Sequence, residues 1–184
     1  MSSSRTVFEQ VWDGALPSFP VFRSDHYGLM ALLDIYSTQP GHLLVIPKEP
    51  VDHVHELEPY RYLQLFAAGQ VASRRLDEVL KPTRVMHIVF GYDIPHVHLH
   101  LFPSFRQGET EDFLASGLEA EQVQVPETDL LAMQARLAFP PELTDALERR
   151  LEQLAVYDRF LNASAANPRQ TSNILGPTWF PGIR

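Results

Sequence analysis

The chain has 184 residues, 45% hydrophobic and 21% charged, with a formal net charge of −8; this is ordinary globular composition, and a chain of this length buries roughly 70% of its unfolded surface in one main domain. It contains no cysteine, which excludes disulfides, thiolate zinc sites, iron–sulfur clusters and a cysteine nucleophile, and leaves oxygen and imidazole chemistry. The acidic balance argues against nucleic acid as the main ligand. No apolar run nears the roughly 20 residues of a membrane span, and the start lacks an apolar signal region, so the expectation is a cytoplasmic protein with no membrane partner.

A Ser-rich start leads into a short helical or turn segment at Phe8 to Trp12, broken by Gly14, Pro17 and Pro20. Val21–Arg23, Leu29–Ile35 and His42–Pro47 are apolar runs joined by short turn-forming segments, as in an antiparallel meander. From about Glu56 to Leu80 apolar residues recur at three- and four-residue steps, which predicts one long amphipathic helix stopped at Lys81-Pro82. Val85–Phe90 and His96–Phe102 read as two more strands. The expected fold is therefore α+β, an antiparallel sheet of about five strands with one long helix packed on it. Beyond an acidic, irregular stretch at Arg106–Gln124, Pro126–Leu137 and Pro141–Leu161 read as two amphipathic helices. We divide the chain into a main domain over 1–138 and a helical C-terminal extension over 139–184, packed on the same body.

The chemistry concentrates in Pro95-His96-Val97-His98-Leu99-His100-Leu101-Phe102-Pro103. Alternation on a strand puts His96, His98 and His100 on one face, about 7 Å apart, with the apolar residues on the other. Two chemistries suit that surface. The imidazoles can bind a divalent metal, or the middle one can act as a nucleophile toward phosphorus while its neighbours hold the phosphoryl oxygens.

His96 through Phe102 follows the pattern His-φ-His-φ-His-φ-φ, with φ apolar. Upstream stand Gly14-Ala15-Leu16-Pro17, Leu33-Asp34-Ile35 and Pro40-Gly41-His42-Leu43-Leu44-Val45-Ile46-Pro47-Lys48, in order. Together these segments resemble the histidine triad superfamily over about residues 7 to 103. The resemblance implies a HIT-like fold and a nucleotide hydrolase or transferase acting on a nucleoside phosphoramidate or dinucleoside polyphosphate. In it His98 attacks the α-phosphorus, forming a nucleotidyl-imidazole that water hydrolyses. His96 and His100 contact phosphate oxygens and assist the leaving group, and His42 completes the set. Asp34 receives the ribose hydroxyls, and Ile35 with Phe8, Leu16 or Phe22 forms the slot for the base of an AMP or GMP moiety. The resemblance implies no obligatory metal or other cofactor, and a homodimer. The loop before the histidines, Phe90–Pro95, resembles a bacterial short-loop branch and puts Asp93 where other branches carry phosphate-binding groups; a carboxylate there repels polyanions.

Alternative readings are a metal-dependent hydrolase built on the same histidines and a nucleotide-binding or regulatory module without turnover. The remaining histidines carry less. His53 and His55 read as solvated residues at a helix entry, His26 as a turn residue beside Asp25, His87 as a core histidine with its hydrogen bonds satisfied and Lys48 as a charged strand end. Gly176–Gly182, with Trp179 and Phe180, is only loosely similar to a family tail that reaches a partner subunit's site.

Overall fold

The computed structural model describes residues 5–37, 39–90, 93–106 and 124–165. The acidic stretch after Arg106 and the tail with Trp179 and Phe180 lie largely outside them. Thr6 opens the first helix, α1 (Val7–Trp12), through a capping box: its Oγ1 accepts the Glu9 amide at 3.2 Å while Glu9 Oε2 accepts the Thr6 amide at 2.7 Å. Gly14, at φ 74°, turns the chain out of it. Three short strands follow, β1 (Pro20–Ser24), β2 (Leu29–Leu33) and β3 (Leu43–Pro47), each paired antiparallel with the next. A turn of 3₁₀ helix at Val54–Glu56 leads into the long helix α2 (Pro59–Leu80), which starts on a proline at its first position and ends at Lys81 in the left-handed conformation. Strands β4 (Arg84–Phe90) and β5 (His98–Ser104) come next, then α3 (Glu127–Leu137) and α4 (Pro141–Ala165).

The sheet runs β1-β2-β3-β5-β4 and is antiparallel throughout, so the α+β expectation of five strands and a packed helix holds. Because α2 connects β3 to the edge strand β4, β5 returns to the middle and lies between them, and the histidines end up on an inner strand. Every residue of β2 and β3 is buried, since both faces are covered. On one face α2 lays Leu65, Ala68, Ala72 and Leu76 over Leu43, Val45, Leu99 and Leu101, with Leu137, Leu147 and Leu151 of α3 and α4 in the same cluster. On the other, Phe8, Val11 and Trp12 of α1 cover Met30, Leu32, Leu44 and Ile46. Fully burying one such side chain is worth about 1.5–3 kcal/mol.

The two C-terminal helices and the segment between them are tied to the rest of the chain by polar contacts as well. Gln64 Nε2, 1% exposed, donates to the Leu151 carbonyl, Gln134 Nε2 to the Pro20 carbonyl and the Phe139 amide to the Val21 carbonyl. Among the described residues no helix is long and apolar enough to cross a membrane.

Candidate active site

Strand β5 pairs Leu99 with Val45 and His100 with Leu44 on one side, and His98 with Phe90 and His100 with Ile88 on the other. Its alternation sends Leu99 and Leu101 into the helix-side core and turns His98 and His100 toward the α1 face. Gly69 of α2 allows the close approach of helix and strand: a Cβ there would stand 2.6 Å from Leu99 Cδ2. His42 comes alongside just before β3, with the Asp34 amide donating to its carbonyl at 3.0 Å. Asp34, His42, His98 and His100 thus meet on one face of the sheet.

The hydrogen bonds assign the tautomers. His98 Nδ1 lies 2.7 Å from the His96 carbonyl; a carbonyl only accepts, so Nδ1 carries the proton and Nε2 holds the lone pair. His42 Nδ1 faces Ser37 Oγ at 2.8 Å and Asp34 Oδ2 at 3.3 Å. The Ser37 hydroxyl donates to the Gln39 carbonyl, which leaves it and the carboxylate as acceptors of the His42 Nδ1 proton. His42 Nε2 then accepts from His100 Nδ1 at 3.0 Å, and His100 Nε2 is the unprotonated end of a chain that runs back to Asp34. The His98 and His100 ring centroids are 4.8 Å apart.

Burial keeps these rings neutral. Desolvation, with His98 nearby, pushes His42 down to about 3, and desolvation with His42 and His98 nearby does the same to His100. His98 is lowered by burial too, against the raising effects of the His96 carbonyl and the Asp34 charge. A neutral His98 at pH 7 needs no prior deprotonation to attack.

His96 departs from its expected role. It precedes β5 instead of lying within it, because the Val97 amide bonds to the Val51 carbonyl, and its side chain is 0% exposed. Nε2 donates to the Pro47 carbonyl at 2.9 Å and Nδ1 meets Thr6 Oγ1 at 3.0 Å. Both ring nitrogens are consumed by the protein, so His96 holds the site together and has no hydrogen bond left for phosphate.

Of the expected slot residues, Phe8 packs on the histidines themselves, with its ring centroid 5.1 Å from His98 and 5.4 Å from His96, and half-buried Leu16 joins the same face. Phe22 does not. A bulge in β1 between Pro20 and Phe22 shifts the register so that Phe22 pairs with Ala31 and stacks on Phe139 at 5.3 Å, in the helix-side core. Ile35, in the turn after β2, packs against that same core and not against the α1 cluster. Asp93 is exposed, and no hydrogen bond or ion pair among the described residues ties it to the histidines. His53 and His55 are exposed and stack on each other at 5.3 Å. His87 is not a core histidine: it is exposed on β4, and its Nε2 bonds to Ser73 Oγ of α2 at 2.7 Å.

Three features were missed in the sequence. Thr6 follows directly on the Ser-rich start, and Thr-x-x-Glu before an apolar run is a capping signal. Ser37 and the Pro47 carbonyl, which also accepts from Trp12 Nε1 at 3.1 Å, carry no sequence signal. A cavity of about 240 Å³ beside Asp34, Ser37 and His42 is also lined by Val125 and by Asp129 and Met133 of α3. Asp34, His42 and His100 each offer a ligand atom within 4.8 Å of the others and are the residues that could hold a metal ion.

A buried, neutral imidazole with a lone pair on Nε2, beside a second imidazole backed by a carboxylate, is an arrangement that can supply nucleophilic and acid–base chemistry. A model of the HIT domain matches residues 14–107, just over half of the chain, and the protein belongs to that family. "Protein hit" of Bacillus subtilis is 28% identical over 108 residues, which are 56% of this chain and 73% of that protein. The asymmetrical bis(5'-nucleosyl)-tetraphosphatase of Schizosaccharomyces pombe is 29% identical over 98 residues, 50% of this chain and 54% of that enzyme. A crystal structure of a Hit-like protein involved in cell-cycle regulation from Bartonella henselae superposes with a TM-score of 0.62 at 18% identity, covering 74% of this chain and 96% of that one; at that identity it shows the shared fold alone.

Proposed function

We propose that the protein hydrolyses or transfers nucleotidyl groups, cleaving at the α-phosphorus through a covalent intermediate on His98. The observation that carries this reading is the 2.7 Å bond from His98 Nδ1 to the His96 carbonyl, which leaves the Nε2 lone pair on the site face. Membership of the HIT-domain family and the likeness to a tetraphosphatase support a nucleotide substrate.

In the first step the Nε2 lone pair forms a P–N bond while the bond from phosphorus to the leaving group breaks, and the leaving group carries off the electron pair. A polyphosphate leaves as its anion. An amine needs a proton, which a bound phosphate would draw onto His100 by raising the affinity of its Nε2 for one. In the second step water attacks phosphorus, the P–N bond breaks back to His98, and His100 Nε2 takes the water's proton and passes it to solvent. The charge gained there is spread through His42 to Asp34. The other Asp34 oxygen accepts the Tyr36 amide at 3.0 Å; a carboxylate has lone pairs to spare for a ribose diol, with Leu16 and Phe8 beside it for the base. A nucleoside phosphoramidate or dinucleoside polyphosphate with an AMP or GMP moiety, a homodimeric state and a cytoplasmic location complete the proposal.

The test is His98→Ala against wild type, by steady-state kinetics and calorimetry. Turnover is expected to vanish while AMP binding persists, because binding rests on Asp34 and the apolar slot; persisting turnover would remove His98 from the reaction. The Asp34, His42 and His100 group favours a second reading, a metal-assisted hydrolase. Metal analysis of untagged protein decides between them: a stoichiometric ion whose removal abolishes turnover selects the second.

A further inference from the structure

The Thr6 hydroxyl serves two partners. The His96 ring gives its one proton, on Nε2, to the Pro47 carbonyl, so Nδ1 can only accept, and the Thr6 hydroxyl must donate to it across 3.0 Å. The same oxygen accepts the Glu9 amide and caps α1. Two residues beyond the cap, Phe8 rests on His96 and His98 together, and the carbonyl of His96 holds His98 Nδ1. Both supports of His98, the carbonyl beneath its ring and the phenyl ring against it, therefore pass through Thr6.

We propose that Thr6 is a positioning residue for the nucleophile: its hydroxyl fixes the His96 ring and the pitch of α1 together, and so sets the orientation and tautomer of His98. The proposal rests on His98 being the nucleophile. Thr6 lies outside residues 14–107, which the HIT-domain model matches, and it touches no group that the proposed reaction uses directly. Loss of its donated hydrogen bond with the cap kept should therefore lower kcat and leave KM alone.

Capping and positioning can be separated by substitution. Thr6→Ser keeps both donation and capping. Thr6→Asp keeps a good N-cap acceptor but cannot donate to His96 Nδ1. Thr6→Val loses both. Two readouts are taken, steady-state kinetics and the His98 Nδ1 proton in an NMR spectrum of ¹⁵N-labelled protein, where a ring proton held by a buried carbonyl exchanges slowly. Wild type and Thr6→Ser should show the slowly exchanging proton and similar kcat. Thr6→Asp should lose the protected signal and drop kcat by about ten- to hundredfold, the cost of a misplaced reacting group, with KM essentially unchanged and the thermal midpoint close to wild type. Thr6→Val should lose the signal and kcat likewise, with a lower midpoint; if it does not fold, Thr6→Asp carries the test. A Thr6→Asp protein with wild-type kcat and an intact His98 signal would overturn the proposal and reduce Thr6 to a helix cap. Since the NMR readout needs no turnover, a wild type inactive on every nucleotidyl substrate would sink the proposed function and leave the orientation claim still tested by the His98 signal.

Discussion

Lowering the pH from 7.5 to 5 should destabilise this fold more than its carboxylates alone would. His42 and His100 have an ordinary value of 6.5 and are held near 3 in the folded chain, chiefly by burial. Above 6.5 neither state carries a proton on these rings. As the pH falls below 6.5 the unfolded chain takes up protons that the folded chain refuses until about 3, so stability is lost across that window. At pH 5 each ring costs about 2 kcal/mol and the pair about 4 kcal/mol, a large share of a typical stability of about 5–15 kcal/mol. Urea unfolding at the two pH values measures the difference directly, and a thermal midpoint lower by roughly 8–16 °C at pH 5 should accompany it. The control is the His42→Asn/His100→Asn double variant, which keeps polar groups of similar reach and removes both titrations. It should lose about 4 kcal/mol less than wild type over the same interval. An equal loss in both proteins would refute the claim that these two rings are buried neutral.

Further expectations follow from the packing around the histidines. Gly69→Ala places a Cβ 2.6 Å from Leu99 Cδ2, and the overpacking cost of about 1–3 kcal/mol should outweigh the helix-propensity gain of about 1 kcal/mol; kcat should fall too, because Leu99 sits between His98 and His100, and a more stable, fully active variant would contradict the close approach. Phe22→Ala should cost about 3–5 kcal/mol of stability without changing KM, whereas Leu16→Ala should raise KM for the nucleotide with little loss of stability; kinetics and urea unfolding on both variants test the reassignment of the base slot. Asp93→Ala should leave KM unchanged in a substrate titration, since its exposed side chain has no described tie to the histidines.

The five strands, the long helix and both C-terminal helices were legible because each is long or regular enough for its period to show in the sequence. The central part of the site was legible for a related reason: alternation on β5 forces His98 and His100 onto one face whatever surrounds them. What was not legible depended on irregularities. The bulge between Pro20 and Phe22 reverses the side on which Phe22 points, and nothing in Pro20-Val21-Phe22 announces it. His96 left the strand because the Val97 amide found a partner in the chain after β3, at Val51, a contact 46 positions away along the sequence. Carbonyl partners such as those of Pro47 and His96 are invisible in a sequence, since every residue has one. Yet they decide which ring nitrogens of His96 and His98 carry protons and which keep a lone pair.

The covalent role of His98 is tested most directly by intact mass spectrometry after rapid acid quench, mixing wild type and His98→Ala separately with adenosine phosphoramidate and with diadenosine polyphosphates. An adenylyl adduct is expected on wild type that His98→Ala does not form, with AMP released as the adduct decays. Release of AMP by wild type with no adduct at the earliest quench times, or an adduct that persists in His98→Ala, would contradict it.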